Sequence, residues 1–176
     1  MQPVTPRPRA TDAEPRCYAD AREFFAAVRR ASADADRISR ELERMEAAEG
    51  VRAQSYSGGG HGSRADVNGR GATIARMDYE QRVSKRREED YALVDGACDV
   101  IYGSGQTGVG GIDALLGSAV ADMVWWRFCA CASWSEVAAH CELSVRRCQE
   151  LVNMAMDTCD AYGVSAMREG LGKACE

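Results

Sequence analysis

The chain has 176 residues and a mass of 19.1 kDa, room for one domain, or one small domain with an extended arm, and too little for a multidomain enzyme. Hydrophobic residues make up 45% and charged residues 28%, an ordinary globular balance, but aromatic residues make up only 7%, so the core is thin. Residues 1–87 carry 17 Lys and Arg against 13 Asp and Glu (+4) and residues 88–176 carry 5 against 14 (−9), which excludes strong non-specific attraction of nucleic acid to the C-terminal half.

Residues 1–16 predict a disordered tail. They hold all four prolines (Pro3, Pro6, Pro8 and Pro15) and lack the apolar centre of a secretory signal. The eight cysteines follow no disulfide-scaffold spacing, so free thiols and a cytoplasmic location are expected. The longest uncharged apolar stretch, 114–121, falls far short of the roughly 20 residues that cross a bilayer, and no membrane partner is expected. A chain without proline beyond position 15 favours helices throughout.

Over 18–49, Phe24, Val28, Ala31, Ala35, Ile38, Leu42 and Met45 step alternately by 4 and 3, the seam of a coiled coil, and predict one long helix. Its other faces carry Arg29, Arg30, Arg37, Arg40, Glu41, Glu43, Arg44 and Glu46, read as a solvated charged surface in which Arg37 has Glu41 at i+4 but Arg40 has Arg44. Residues 50–72 contain seven of the 17 glycines and read as a mobile connector. A second helix over 72–102 places Ile74, Met77, Tyr91, Val94, Cys98 and Ile101 at helical spacing around the polar RVSKRREED. It returns along the first, giving residues 17–102 the form of a long helical hairpin. The weak central seam of that hairpin predicts homo-oligomerisation through these N-terminal helices.

The glycine-rich turn 103–111 contains Gly103-x-Gly105-x-x-Gly108 and Gly105-x-x-x-x-Gly110, which match the dinucleotide fingerprint and the start of a phosphate loop. Gly111 and Ile112 stand where a phosphate loop needs Lys and Ser or Thr, and a helix precedes the turn rather than a strand, so no nucleotide cofactor is expected. Further helices follow over 112–132, 134–140 and 145–162, and 163–176 reads as a frayed tail. Cys129, Cys131, His140 and Cys141 carry the right donor atoms for zinc. If 129–131 is helical, however, residues two apart point about 200° from one another, and no metal is expected. With only His61 and His140 present, no Cys/His or Ser/His catalytic pair is suggested, and the chain reads as a non-enzyme.

The segment 133–160 has the layout of a helix-turn-helix. Ser133 and Glu136 form a capping box; Trp134, Val137 and Ala138 face inward. The turn is Cys141-Glu142-Leu143, and Ser144 caps a second helix whose Cys148, Leu151, Val152, Ala155 and Met156 share one side. Arg146, Arg147, Gln149, Glu150 and Asn153 are left outward, a set suited to a DNA major groove, where Arg pairs with guanine and Gln or Asn with adenine. Against this stands the acidic balance of 113–160, with seven Asp and Glu and three Arg.

Ser133-Trp134-Ser135-Glu136-Val137-Ala138 and Leu143-Ser144-x-x-Arg147-Cys148-Gln149-Glu150-Leu151 resemble the C-terminal helix-turn-helix of bacterial sigma factors. The order of segments over 18–162, with Gly110-Gly111-Ile112, Ala121-Asp122 and Arg127, is similar to small phage and prophage regulators of the ArpU/RinA type. The resemblance implies an all-α protein with a coiled-coil-like N-terminal hairpin and a small sigma-like helix-turn-helix over 112–162. It implies a transcription regulator that binds double-stranded promoter DNA and contacts RNA polymerase. By position, Arg147, Gln149 and Glu150 would face base edges, with Ser133, Ser144 and Arg146 nearer the phosphates. Glu142 stands where the family has a turn glycine, which predicts a non-glycine residue in a left-handed conformation at a cost of about 1 kcal/mol. The second helix is also poor in Lys and Arg, so binding would draw on the basic N-terminal half or on avidity. Two other functions fit the same sequence: a small terminase-like DNA-packaging protein, and a coiled-coil protein-interaction module.

Overall fold

The computed structural model describes residues 18–54, 70–103 and 111–169, and among them every regular element is helical. The helices are α1 (Ala21–Gln54), α2 (Arg70–Tyr102), α3 (Gly111–Leu116), α4 (Ser118–Phe128), α5 (Trp134–Cys141), α6 (Val145–Tyr162) and α7 (Val164–Glu169). None is long and apolar enough to cross a membrane.

α1 starts at Asp20, whose Oδ1 accepts the Glu23 backbone N–H at 2.7 Å, an N-cap of the usual kind. The heptad seam is buried from Phe24 through Val28, Ala31 and Ala35 to Ile38, and Leu42 and Met45 beyond it are half-buried. α1 and α2 run antiparallel, joined by contacts of Asp34 with Arg86, Ser39 with Tyr91 and Glu49 with Arg76. Both helices extend into the segment expected to be a connector, because one glycine at a helix end, Gly50 or Gly71, costs only about 1 kcal/mol and does not stop a helix. The rest of that connector, 55–69, lies outside the described residues, as do the expected tail at 1–16 and most of the glycine turn, 104–110.

The expected helix over 112–132 is two helices. Gly117, at φ 87°, separates α3 from α4, and α4 stops at Phe128. Gly111, at φ 85°, seats α3 directly on the end of α2: a Cβ there would lie 2.6 Å from the Gly103 nitrogen and 2.8 Å from the Ile101 carbonyl oxygen. Glycine is therefore required at this position for two reasons, backbone sign and space. The end of the chain also departs from expectation, since 164–169 form α7, which buries Met167 completely. Arg168 crosses Gly96 of α2, where a Cβ would meet its guanidinium at 3.0 Å.

One apolar core joins all these helices. It takes Ala21, Phe24, Phe25 and Val28 from α1, Ala97, Val100 and Ile101 from α2, Ile112 from α3, and Val120, Ala121, Met123 and Val124 from α4. Val137 and Ala138 come from α5, Cys148, Val152, Ala155, Met156 and Cys159 from α6, and Met167 from α7. The sequence boundary at 103–111 is thus no boundary in packing.

Candidate nucleic-acid interface

α5 and α6 begin and end where local hydrogen bonding dictates. The Ser133 hydroxyl accepts the Glu136 N–H at 3.3 Å while the Glu136 carboxylate accepts the Ser133 N–H at 2.7 Å, a complete capping box. That backbone N–H, followed by the Ser133 hydroxyl, holds the Glu136 carboxyl below its ordinary pKa. α5 closes at Glu142, whose φ of 54° and ψ of 36° are left-handed, as the missing turn glycine predicts. Leu143 N–H returns to the Ala138 carbonyl at 3.1 Å. Ser144 then caps α6 by accepting the Arg147 N–H at 3.2 Å.

α6 divides lengthwise. Cys148, Val152, Ala155, Met156 and Cys159 are buried, whereas Arg146, Arg147, Glu150, Asn153, Met154 and Asp157 are exposed, so among the described residues none covers its outer half. Gln149 is half-buried at the edge of that face. Arg146 and Arg147 meet at Glu150, with Nε to Oε1 at 3.1 Å and Nη1 to Oε2 at 3.4 Å. Ser144 sits at the root of this trio; Ser133 lies a whole helix away at the start of α5. Charge is also divided along α6. The basic pair occupies the N-terminal end, where the helix dipole is positive. At the other end Arg22 of α1 binds Asp157 at 2.7 Å and Asp160 at 3.8 Å, and Asp160 accepts the Ala21 N–H at 2.6 Å.

The turn that leads into α5 is held by a residue expected on the solvated face of α1. Arg29 is half-buried; its guanidinium donates to the carbonyl of Arg127, to that of Ala132 at 3.1 Å and to that of Cys131 at 3.0 Å. Ser32 donates to the Cys129 carbonyl, and the Cys131 thiol donates to the Arg29 carbonyl at 3.3 Å. Arg127 adds a bond to the Ala132 carbonyl at 2.8 Å and lies 4.5 Å from the centre of the Trp134 ring. Burial, and then the Arg29 charge, lower the Arg127 pKa. No periodicity marks Arg29 among its neighbours; the fan of carbonyls it answers lies about 100 positions on and becomes visible only when the helices pack.

The zinc-type donors are placed apart. Cys129 ends α4 and hydrogen-bonds the Cys98 thiol of α2, Cys131 sits in the turn at φ 56° rather than in a helix, and His140 stacks on Trp126 with centroids 4.0 Å apart. Among the described residues no three His, Cys, Asp or Glu converge as a metal group requires. The bond from Cys129, ahead of a smaller contribution from Trp125, lowers the Cys98 pKa to about 7, while the Cys129 thiol is pushed up by Cys98 and by burial.

The chain matches no family model, no curated protein and no solved structure.

Proposed function

We propose that this protein is a DNA-binding transcription regulator of the phage and prophage type, acting in the cytoplasm, which reads promoter duplex through the first turns of α6 and contacts RNA polymerase from that site. It acts by binding rather than by catalysis. The observation that carries this reading is the bare outer half of α6, capped at Ser144 and presenting Arg146, Arg147, Gln149, Glu150 and Asn153 beside the positive end of the helix. The acidity that weighs against DNA sits in part at the far end of α6, where Asp157 and Asp160 engage Arg22 of α1.

Glu150 holds both arginines in the absence of DNA, so a phosphate or a guanine edge competes with its carboxylate for them. Glu150→Gln should therefore raise affinity for all sequences, and Arg147→Ala or Gln149→Ala should each cost about 1–3 kcal/mol at the cognate site. The experiment is electrophoretic mobility shift against fragments from the genomic neighbourhood, titrated with salt, with helicity checked by circular dichroism. A shift confined to one fragment, weakened by salt and by Arg147→Ala, supports the reading. No shift at micromolar protein and low salt overturns it in favour of a protein-docking module. That second reading draws on Met154 and Tyr162, 42% and 51% exposed on the same helix.

A further inference from the structure

Six cysteines fall among the described residues, and all are free. Two of them meet where α2 packs on α4. Cys98, near the end of α2, is half-buried and keeps partial contact with solvent. Cys129 follows the last residue of α4 and is buried. The Cys129 thiol donates a hydrogen bond to the Cys98 sulfur. That bond outweighs burial and the carboxylates of Asp95 and Asp99, and with help from Trp125 it brings the Cys98 thiol down to about 7. A large share of Cys98 is then thiolate at neutral pH, the nucleophilic form. The other described thiols are engaged elsewhere. Cys131 donates to the Arg29 carbonyl of α1 at 3.3 Å, Cys148 and Cys159 lie in the core on α6, and burial pushes the Cys141 thiol up.

We propose that Cys98 and Cys129 are a reversible redox pair, in which a peroxide oxidises Cys98 and Cys129 then closes a disulfide between α2 and the end of α4. The Cys98 sulfur attacks the O–O bond of the peroxide, which is reduced to an alcohol or water as Cys98 becomes a sulfenic acid. The Cys129 sulfur then forms the S–S bond; the hydroxyl of the sulfenic acid leaves with the Cys129 proton as water. The Cys129 carbonyl already accepts the Ser32 hydroxyl of α1. The disulfide therefore fixes the root of the turn into α5 to α2 as well as to α1. This pair stands apart from the DNA-binding reading and does not depend on it.

The test treats the full chain, reduced and freed of reductant, with equimolar hydrogen peroxide at neutral pH, followed by tryptic mapping without reductant. Trypsin cuts after Arg127 and places Cys98 and Cys129 on separate peptides. A cross-link between those peptides is expected, located at Cys129 by fragmentation and removed by dithiothreitol. Cys98→Ser should abolish it with helicity unchanged, and Cys131→Ser should leave its yield unchanged. The oxidised protein should melt roughly 5–10 °C above the reduced one, because the bond constrains the unfolded chain. No cross-link between Cys98 and Cys129, a bond from Cys98 to Cys131 in its place, or a lower melting temperature on oxidation overturns the proposal.

Discussion

Where α1 and α2 enter the body, the residues between them are Phe24, Phe25 and Val28 on one and Ala97, Val100 and Ile101 on the other, all buried. Farther out, where Ala31, Ala35 and Ile38 continue the buried seam of α1, the same two helices also meet through Asp34, which Arg37 approaches to 2.6 Å and Arg86 to 2.7 Å, and through Glu49 and Arg76 at 3.0 Å. Apolar burial and half-exposed ion pairs respond differently to their surroundings. The first is worth about 25 cal/mol per Å² and is insensitive to moderate salt. The second is worth about 0–1 kcal/mol per pair and is screened. The inner part of the pair should therefore open only with the whole protein, and the outer part should open first.

The inner part depends most on Phe25, whose ring is fully buried and lies 5.2 Å from that of Phe128. Phe25→Ala should cost about 3–5 kcal/mol in urea denaturation; a loss under about 1 kcal/mol would remove the distinction between core and outer ends. Next is Arg29, on the outer surface of the same inner segment. Arg29→Ala strands carbonyls of the turn between α4 and α5 and should cost about 2–4 kcal/mol. Arg29→Lys should recover only part of this, because a single ammonium does not reproduce the guanidinium fork.

In the outer part, Asp34→Asn should cost less than about 1 kcal/mol. Its signature is in hydrogen exchange: amides of α2 around Arg86 should exchange faster than those around Val100, and the gap should widen with salt. The smallest effect concerns Glu136. Its carboxyl titrates below the unfolded value, so its contribution is present above the ordinary Glu pKa and is lost as pH falls through the lower folded one. Amide exchange at the start of α5 should rise in that acid window, and Glu136→Gln, which keeps an acceptor but not the charge, should remove the pH dependence.

Much of this architecture could be read from the chain because it depends on neighbours within one or two turns. The seam from Phe24 to Ile38 follows from alternating steps of 3 and 4, and the starts of α5 and α6 from Ser133 with Glu136 and from Ser144. The outward set on α6 was legible for the same reason: once Cys148, Val152 and Ala155 face in, Arg146, Glu150 and Asn153 have one direction left.

The failures share the opposite property. Ile74 and Met77 have the helical spacing of an apolar face, yet the structure leaves them 58% and 59% exposed. α7 lacked any strong signal of its own and forms because Met167 finds the core and Arg168 finds Gly96 and Asp99. The helical class of the chain, the starts of α5 and α6 and the inner faces of α1 and α6 were determined by the sequence alone, since hydrogen bonds and side-chain spacing along a helix are local. Only the tertiary structure decided that Arg29 anchors the turn before α5, that Asp160 caps α1, that Cys98 lies against Cys129, and that the arm and the α5–α6 pair share one core. Each of these joins residues far apart in the chain, and their chemistry acquires a partner only after the helices have packed.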